Sequence, residues 1–320
     1  MSTSWKTLKV AAKTLEAEDV FGFELVDPDG APLPAFSAGS HIDVEVAPGL
    51  VRQYSLCNPP HETHRYQIGV LREPASRGGS VAMAERVEVG STLRVSEPRN
   101  HFALEPGAVR VVLLAGGIGI TPILCMAERL ARTSIPFEMH YCARGRSRAA
   151  FYSRLAQSAF SGQVHFHFDD EDSRIDLAAT LNAHGPQDQL YVCGPKGFID
   201  VVLKTAEAAG WAPEHLHREF FTPAEDLVRA DDAGFEVEIA STGLRIPVAT
   251  GQTVLDALTA NGVSLEVSCE QGVCGTCVTR VLQGVPDHRD MFLSDAEHAR
   301  NDQFTPCCSR SKTDLLVLDL

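Results

Sequence analysis

Four cysteines constrain this chain more than any other feature of its sequence. Cys269, Cys274 and Cys277 lie close together and Cys307 follows much later, a C-x4-C-x2-C…C pattern that is a ligand spacing of a [2Fe–2S] cluster. Iron bridged by sulfide is a soft site and calls for thiolates. Three thiolates so near one another require a loop that folds back over one point. Gly272 and Gly275 let such a loop take positive φ. They also turn backbone N–H groups toward the sulfurs, where they stabilise an anionic cluster and tune its potential. Zinc is the competing reading, but structural zinc usually takes two matched C-x2-C pairs, and this chain has one.

The rest of the composition agrees with a redox protein. At 320 residues, with 44% hydrophobic and 22% charged residues, the chain is globular and long enough for two or three domains. A net charge of −14 argues against nucleic acid or an anionic membrane surface as partner and permits a basic protein. Met1 to Val10 has no apolar signal region. The most apolar stretch, Val109 to Ile120, holds Arg110 and three glycines and is too short to span a bilayer. A cytoplasmic protein is expected. Its nine cysteines are then not read as disulfides.

Three patterns follow one another. Residues 1–104 alternate apolar and polar, as in His41–Val46 and Tyr66–Val70, between Pro and Gly turns; this predicts an antiparallel β-barrel. Residues 105–221 carry apolar runs (Val109–Leu114, Phe137–Cys142, Val164–Phe168, Leu190–Cys193), each followed by a helix-like segment, which predicts a parallel α/β sheet. A polar stretch, 222–232, reads as a linker. Residues 233–320 predict a hairpin (Phe235–Ala240 with Leu244–Val248), a short helix (Thr253–Asn261), the cysteine loop and a last strand.

Two further motifs carry chemistry. In Arg52-Gln53-Tyr54-Ser55-Leu56, Arg52, Tyr54 and Leu56 share one strand face and Ser55 the other; taken alone this is an ordinary strand. Arg77-Gly78-Gly79-Ser80 precedes the helix-like Val81–Arg86, and a glycine turn at a helix N-terminus offers free N–H groups to a phosphate. The glycine loop Gly116-Gly117-Ile118-Gly119-Ile120-Thr121-Pro122 follows a strand and opens a helix. That context favours phosphate binding over a plain tight turn, and Pro122 fits a first helical turn. Cys193-Gly194-Pro195 ends another strand, and ligands of such sheets sit at strand carboxyl ends; Cys193 alone reads equally as a buried core thiol.

The cysteine segment resembles plant-type ferredoxins over roughly its whole length. The other motifs resemble the ferredoxin–NADP reductase superfamily, and their order resembles the phthalate dioxygenase reductase and vanillate demethylase reductase family over nearly the whole chain. Glu97-Pro98-Arg99-Asn100 and Cys307-Cys308-Ser309-Arg310 belong to the match. The resemblance implies a flavin β-barrel, an NADH-binding α/β domain and a C-terminal α+β β-grasp ferredoxin. It implies FMN as the flavin, with Arg52 on its phosphate, Tyr54 against the ring, Leu56 also in the flavin site, and Gly78, Gly79 and Ser80 also on the phosphate. Ser55, Thr121 and Cys193 would surround the reacting rings, with Gly116, Gly117, Gly119, Pro122, Gly194 and Pro195 shaping the nicotinamide site. Neighbouring extended residues point opposite ways, so only one of Cys307 and Cys308 is expected to ligate iron, and the ferredoxin resemblance selects Cys307.

The activity so implied is an NADH-dependent reductase that passes single electrons through its cluster to a separate Rieske-type oxygenase or demethylase acting on aromatic compounds. No Rieske pattern occurs in the chain itself. A cytochrome P450 as acceptor and a non-enzymatic redox sensor are the alternatives; the sensor leaves the flavin and nicotinamide motifs unexplained. Arg144, Arg146 and Arg148 could bind the 2′-phosphate of NADPH or form a solvated loop; the resemblance favours NADH.

Overall fold

The computed structural model describes residues 4–75, 78–171, 173–222, 227, 229 and 232–320. The alternating N-terminal segment forms β1 (Trp5–Ala17), β2 (Val20–Val26), β3 (Ser40–Ala47), β4 (Leu50–Ser55), β5 (Tyr66–Leu71), β6 (Thr92–Ser96) and β7 (Arg99–Asn100), with helix α1 (Gly79–Arg86) after β5. The strands pair antiparallel in the order β4-β3-β6-β1-β2-β5, with β7 beside β3. A bridge between Leu56 and Ile68 joins the two ends of that order. It closes the sheet into the expected barrel and covers edges that would otherwise be open. Leu8, Leu25, Ile42, Ile68 and Val95 fill the inside together with Met83 of α1.

The apolar runs that follow become β8 (Val111–Gly116), β9 (Phe137–Ala143), β10 (Val164–Phe168), β11 (Gln189–Cys193) and β12 (Leu216–Glu219), alternating with α2 (Ile120–Leu130), α3 (Tyr152–Ala156), α4 (Leu177–Asn182) and α5 (Lys196–Ala208). The sheet is parallel, in the order β10-β9-β8-β11-β12. Every residue of β8 and β11 is buried, as central parallel strands require. From β8 the chain winds outward to β9 and β10, then returns to place β11 on the other side of β8. That reversal makes the carboxyl ends of β8 and β11 the switch point where such sheets bind ligands.

Barrel and parallel sheet belong to one compact unit that ends at Glu219. Ala38, Cys57 and Phe102 share a core with Ile120, Ile123 and Leu124 of α2. Cys125 Sγ donates to Asn58 O at 3.3 Å, and the Glu105 N–H donates to Tyr191 Oη at 2.7 Å. We keep 104/105 and 221/222 as proposed limits of the cofactor-binding segments.

A second unit begins at Phe220. It contains β13 (Phe235–Ile239), β14 (Leu244–Val248), α6 (Val254–Ala260), β15 (Thr279–Gln283), β16 (Pro286–Asp287), α7 (Asp295–Arg300), β17 (Gln303–Phe304), β18 (Arg310–Ser311) and β19 (Leu315–Leu318). The main sheet runs β14-β13-β19-β15-β17, with β13 and β19 parallel and the other pairs antiparallel. Thr253 and Asp256 cap α6 reciprocally, which fixes where it starts. This is the expected α+β unit. Of the 222–232 linker, only Thr222, Leu227, Arg229 and Asp232 are among the described residues. Asp232 is pinned: its carboxylate accepts from the buried Arg289 guanidinium, and Arg310 Nε lies 3.7 Å away. The Arg289 hydrogen bond holds the Asp232 pKa down at about 2.

Candidate functional site

On β4, Arg52 lies one turn of the pleat from Tyr54. A side chain on Gly79 would come within 2.6 Å of Arg52 Cγ and 2.7 Å of Nε. The absence of one lets the arginine lie across the first turn of α1. Gly78, at φ 82°, starts that helix, and no side chain caps it. A cation and open helix amides thus meet at one spot, the chemistry that holds a phosphate. Ser80 Oγ accepts from Glu73 N at 3.1 Å, so the serine also shapes the turn. Arg77 lies outside the described residues. The Tyr54 hydroxyl is buried without a hydrogen-bond partner, and burial holds its pKa above the usual tyrosine range. An orphaned buried hydroxyl beside an anion cradle fits a phosphate-bearing cofactor with polar groups along its body.

Ser55, on the other face of β4, points to the parallel sheet. Its hydroxyl donates to Glu219 Oε2 at 3.4 Å. Glu219 ends β12 and pairs in register with Cys193 at the end of β11. Burial raises the Glu219 carboxyl to about 8, against the opposing Ser55 hydrogen bond. Cys193 is fully enclosed, and burial, then the Glu219 charge, push its thiol far up. It is therefore a neutral, tightly packed thiol, and its surroundings do not favour a thiolate nucleophile.

The glycine loop closes against the same strand ends. A side chain on Gly119 would run into the Cys193 carbonyl, and Gly194 sits 3.0 Å from Gly116 Cα by the same measure. Only glycines allow two strand ends to come this close. Gly117 has φ 53°. Pro195 precedes α5 and Pro122 lies inside α2. Thr121 Oγ1 donates to Ile118 O at 3.1 Å, and its methyl packs on Gly69 of β5. The barrel and the sheet thus contribute Ser55, Thr121, Cys193 and Glu219 to one region. Glu219 escaped the sequence reading. Its signal was positional: a carboxylate at the carboxyl end of a parallel strand next to Cys193-Gly194-Pro195.

The arginine loop after β9 is largely engaged. Arg146 lies 3.5 Å from Glu171 and stacks over the Tyr152 and Phe168 rings; Arg148 pairs with Glu18 at 3.2 Å. The Asp170 carboxylate stands directly over Gly145.

In the second unit Cys269, Cys274, Cys277, Cys307 and Cys308 are all buried. Gln271 N donates to Cys269 Sγ at 3.3 Å and Thr276 N to Cys274 Sγ at 3.4 Å, the expected N–H groups on sulfur. Gly272 and Gly275 take φ 71° and 72°. The thiols of Cys269 and Cys274 interact, and hydrogen bonding from Cys269 lowers Cys274 to about 6. Buried thiols, two of them with amides already aimed at their sulfurs, fit an iron–sulfur cluster.

Around Cys307 the structure corrects a premise. Pro306 to Cys308 form a turn rather than an extended segment, with Ser309 N donating to Thr305 O at 2.9 Å. The Cys307 and Cys308 thiols therefore neighbour each other and do not face opposite ways. Their other contacts differ. Cys307 also meets Cys277, whereas Cys308 lies 3.1 Å from the Thr305 hydroxyl and against Gly272.

Residues 237–312 match the 2Fe-2S iron-sulfur cluster binding domain family. A vanillate O-demethylase oxidoreductase of Pseudomonas sp. (strain HR199 / DSM 7063) is 54% identical over 313 residues, covering 97% of this chain and 98% of the relative. The chain belongs to that oxidoreductase family. The solved phthalate dioxygenase reductase, described as a modular structure for electron transfer from pyridine nucleotides to [2Fe-2S], is 36% identical with a TM-score of 0.75, covering 99% of this chain and 98% of that one. An intact type IV self-sufficient cytochrome P450 monooxygenase is 40% identical with a TM-score of 0.88, but this chain spans only 41% of its length. Like its family, the chain is an electron-transfer oxidoreductase of the flavin and iron–sulfur type. Among the described residues no helix is long and apolar enough to cross a membrane.

Proposed function

We propose that the chain takes a hydride from NADH onto FMN and delivers single electrons through its [2Fe–2S] cluster to a separate Rieske-type oxygenase or demethylase. The observation that carries this reading is the Ser55–Glu219 contact beside Cys193, where barrel and parallel sheet meet. When bound, the flavin supplies the exchange between a two-electron hydride and single electrons. The protein binds and orients it. Arg52 and the first amides of α1 neutralise the phosphate, Tyr54 holds the ring while Leu56 anchors this strand in the barrel core, and Ser55 lies near the ring's reactive edge. Gly116, Gly117 and Gly119 with Cys193, Gly194 and Pro195 make room for the nicotinamide, and Thr121 lies beside both rings. Cys269, Cys274, Cys277 and Cys307 hold the iron.

NADH is favoured over NADPH because Arg146 and Arg148 are paired and Asp170 adds negative charge to the same turn. A 2′-phosphate there would meet a carboxylate instead of a free cation cluster. An oxygenase partner is supported by the vanillate O-demethylase and phthalate dioxygenase relatives. The likeness to the self-sufficient P450 supports a second reading, a P450-type acceptor.

The purified chain should reduce cytochrome c with NADH and release FMN by mass spectrometry. Electron delivery to candidate Rieske oxygenases and to P450s then separates the two acceptors. An FAD mass, or transfer to a P450 alone, would overturn the corresponding part of the reading.

A further inference from the structure

Between Cys277 and Cys307 lie two histidines and an aspartate that the redox reading leaves unused. His288 follows β16, Asp290 comes two residues later, and His298 stands on α7. Their donor atoms all lie within 4.8 Å of one another. His298 Nε2 is 3.2 Å from Asp290 Oδ1, and His288 Nδ1 is 3.9 Å from the same oxygen. The other Asp290 oxygen accepts from Leu293 N at 2.7 Å, which fixes the carboxylate. The His288 side chain is only 8% exposed, and both its ring nitrogens are buried without a hydrogen-bond partner.

Neither ring nitrogen makes a well-formed hydrogen bond, although the Asn301 side chain lies near enough to interact, and a buried imidazole so poorly satisfied is costly. Burial first, then His298 and Lys312, lower the His288 pKa, against the pull of Asp290 and Asn301. Two imidazoles and a carboxylate are a donor set for divalent first-row ions, in contrast to the all-thiolate iron centre. Bonds of about 2.0–2.1 Å in a tetrahedral site set ligand atoms roughly 3.3 Å apart. The two separations from Asp290 Oδ1, 3.2 and 3.9 Å, bracket that value; the two rings stack with centroids 4.3 Å apart, so one ring must also turn to bring both lone pairs onto one ion.

We propose that His288, Asp290 and His298 bind one divalent transition-metal ion of the zinc class, with a fourth position open to water. The site adjoins the cluster loop. Met291 N donates to Gly272 O at 2.8 Å, and a side chain on Gly272 would come within 3.0 Å of Asp290 Cα. An ion held there ties α7 to the strap that lies on this loop and stiffens the backbone covering the cysteines.

The test uses the full chain with its cluster, freed of loose metal by a chelator wash and dialysed to equilibrium against Zn2+, with zinc and iron counted together. One zinc per chain at micromolar free Zn2+, beside an unchanged iron count, is expected. Binding should weaken at least about tenfold in His288→Gln and in His298→Gln. Because His298 is partly exposed, its variant keeps the test valid if His288→Gln misfolds. Zn2+ should also slow thermal loss of the cluster's visible absorbance in the wild type but not in His298→Gln. Absence of saturable zinc, equal binding in the His298 variant, or zinc uptake only as iron leaves would each overturn the proposal. The zinc count does not depend on the redox reading, so either can fail alone.

Discussion

Ser55 and Glu219 are 164 residues apart, yet the serine hydroxyl donates to the glutamate at 3.4 Å. A carboxyl raised to about 8 at this point changes charge in mildly alkaline solution. Once ionised, it favours the positive charge that grows on a nicotinamide ring as hydride leaves. Stopped-flow flavin reduction by NADH should therefore quicken as pH rises through about 8 in the wild type. In Glu219→Gln it should stay flat from pH 6 to 9, and at pH 9 be roughly tenfold slower, about 1.4 kcal/mol. A variant that keeps the wild-type profile removes Glu219 from this role.

The same carboxyl links stability to pH. Its folded pKa of about 8 lies above its ordinary value of 4.5, so between those limits the folded chain keeps a proton that the unfolded chain has lost. Stability must fall as pH rises across that window and level off above it. Thermal melts at pH 5.5 and 8.5 should show a smaller drop in Tm for Glu219→Gln than for the wild type. Equal drops would mean that the carboxyl is solvated.

Arg52→Ala should weaken flavin binding about 10- to 100-fold, as expected for loss of a charge-assisted contact of roughly 1.5–3 kcal/mol. Gly79→Ala should have a similar effect, because its methyl would displace the arginine stem from α1. Flavin and iron contents of the purified variants check this: flavin should fall while iron stays.

Cys307→Ser should lose the cluster and keep NADH-driven flavin reduction. Cys308→Ser should keep both cofactors, with a cost of about 1 kcal/mol from its Thr305 contact. Visible absorbance and iron analysis decide it. Because the two thiols are neighbours in one turn, a cluster retained in Cys307→Ser would mean that Cys308 takes over the iron.

NADH should exceed NADPH by at least about tenfold in kcat/KM. Glu171→Gln with Asp170→Asn should narrow the gap by releasing Arg146 and removing the carboxylate over Gly145. Steady-state cytochrome c reduction with each nucleotide measures both effects.

Sequence alone determined what depends on local spacing and period. The alternation of strands and the apolar runs followed by helix-like segments yielded the barrel strands, the parallel sheet and the short helix at Thr253–Asn261. The spacing of Cys269, Cys274 and Cys277 yielded the cluster loop. Glycine positions marked the phosphate turns, because a side chain there would meet Arg52 or the Cys193 carbonyl. Tertiary structure alone decided the rest. Glu219 ends a four-residue strand with no pattern of its own; its pKa is raised only because packing buries the carboxyl where β12 pairs with β11 and meets the barrel, a rise that the Ser55 hydrogen bond partly offsets. The turn at Cys307 and Cys308, the pinning of Asp232 by Arg289, and the gathering of His288, Asp290 and His298 likewise arise from segments brought together by packing. The charge state of a buried group is set by what surrounds it in space, and those surroundings come from distant parts of the chain.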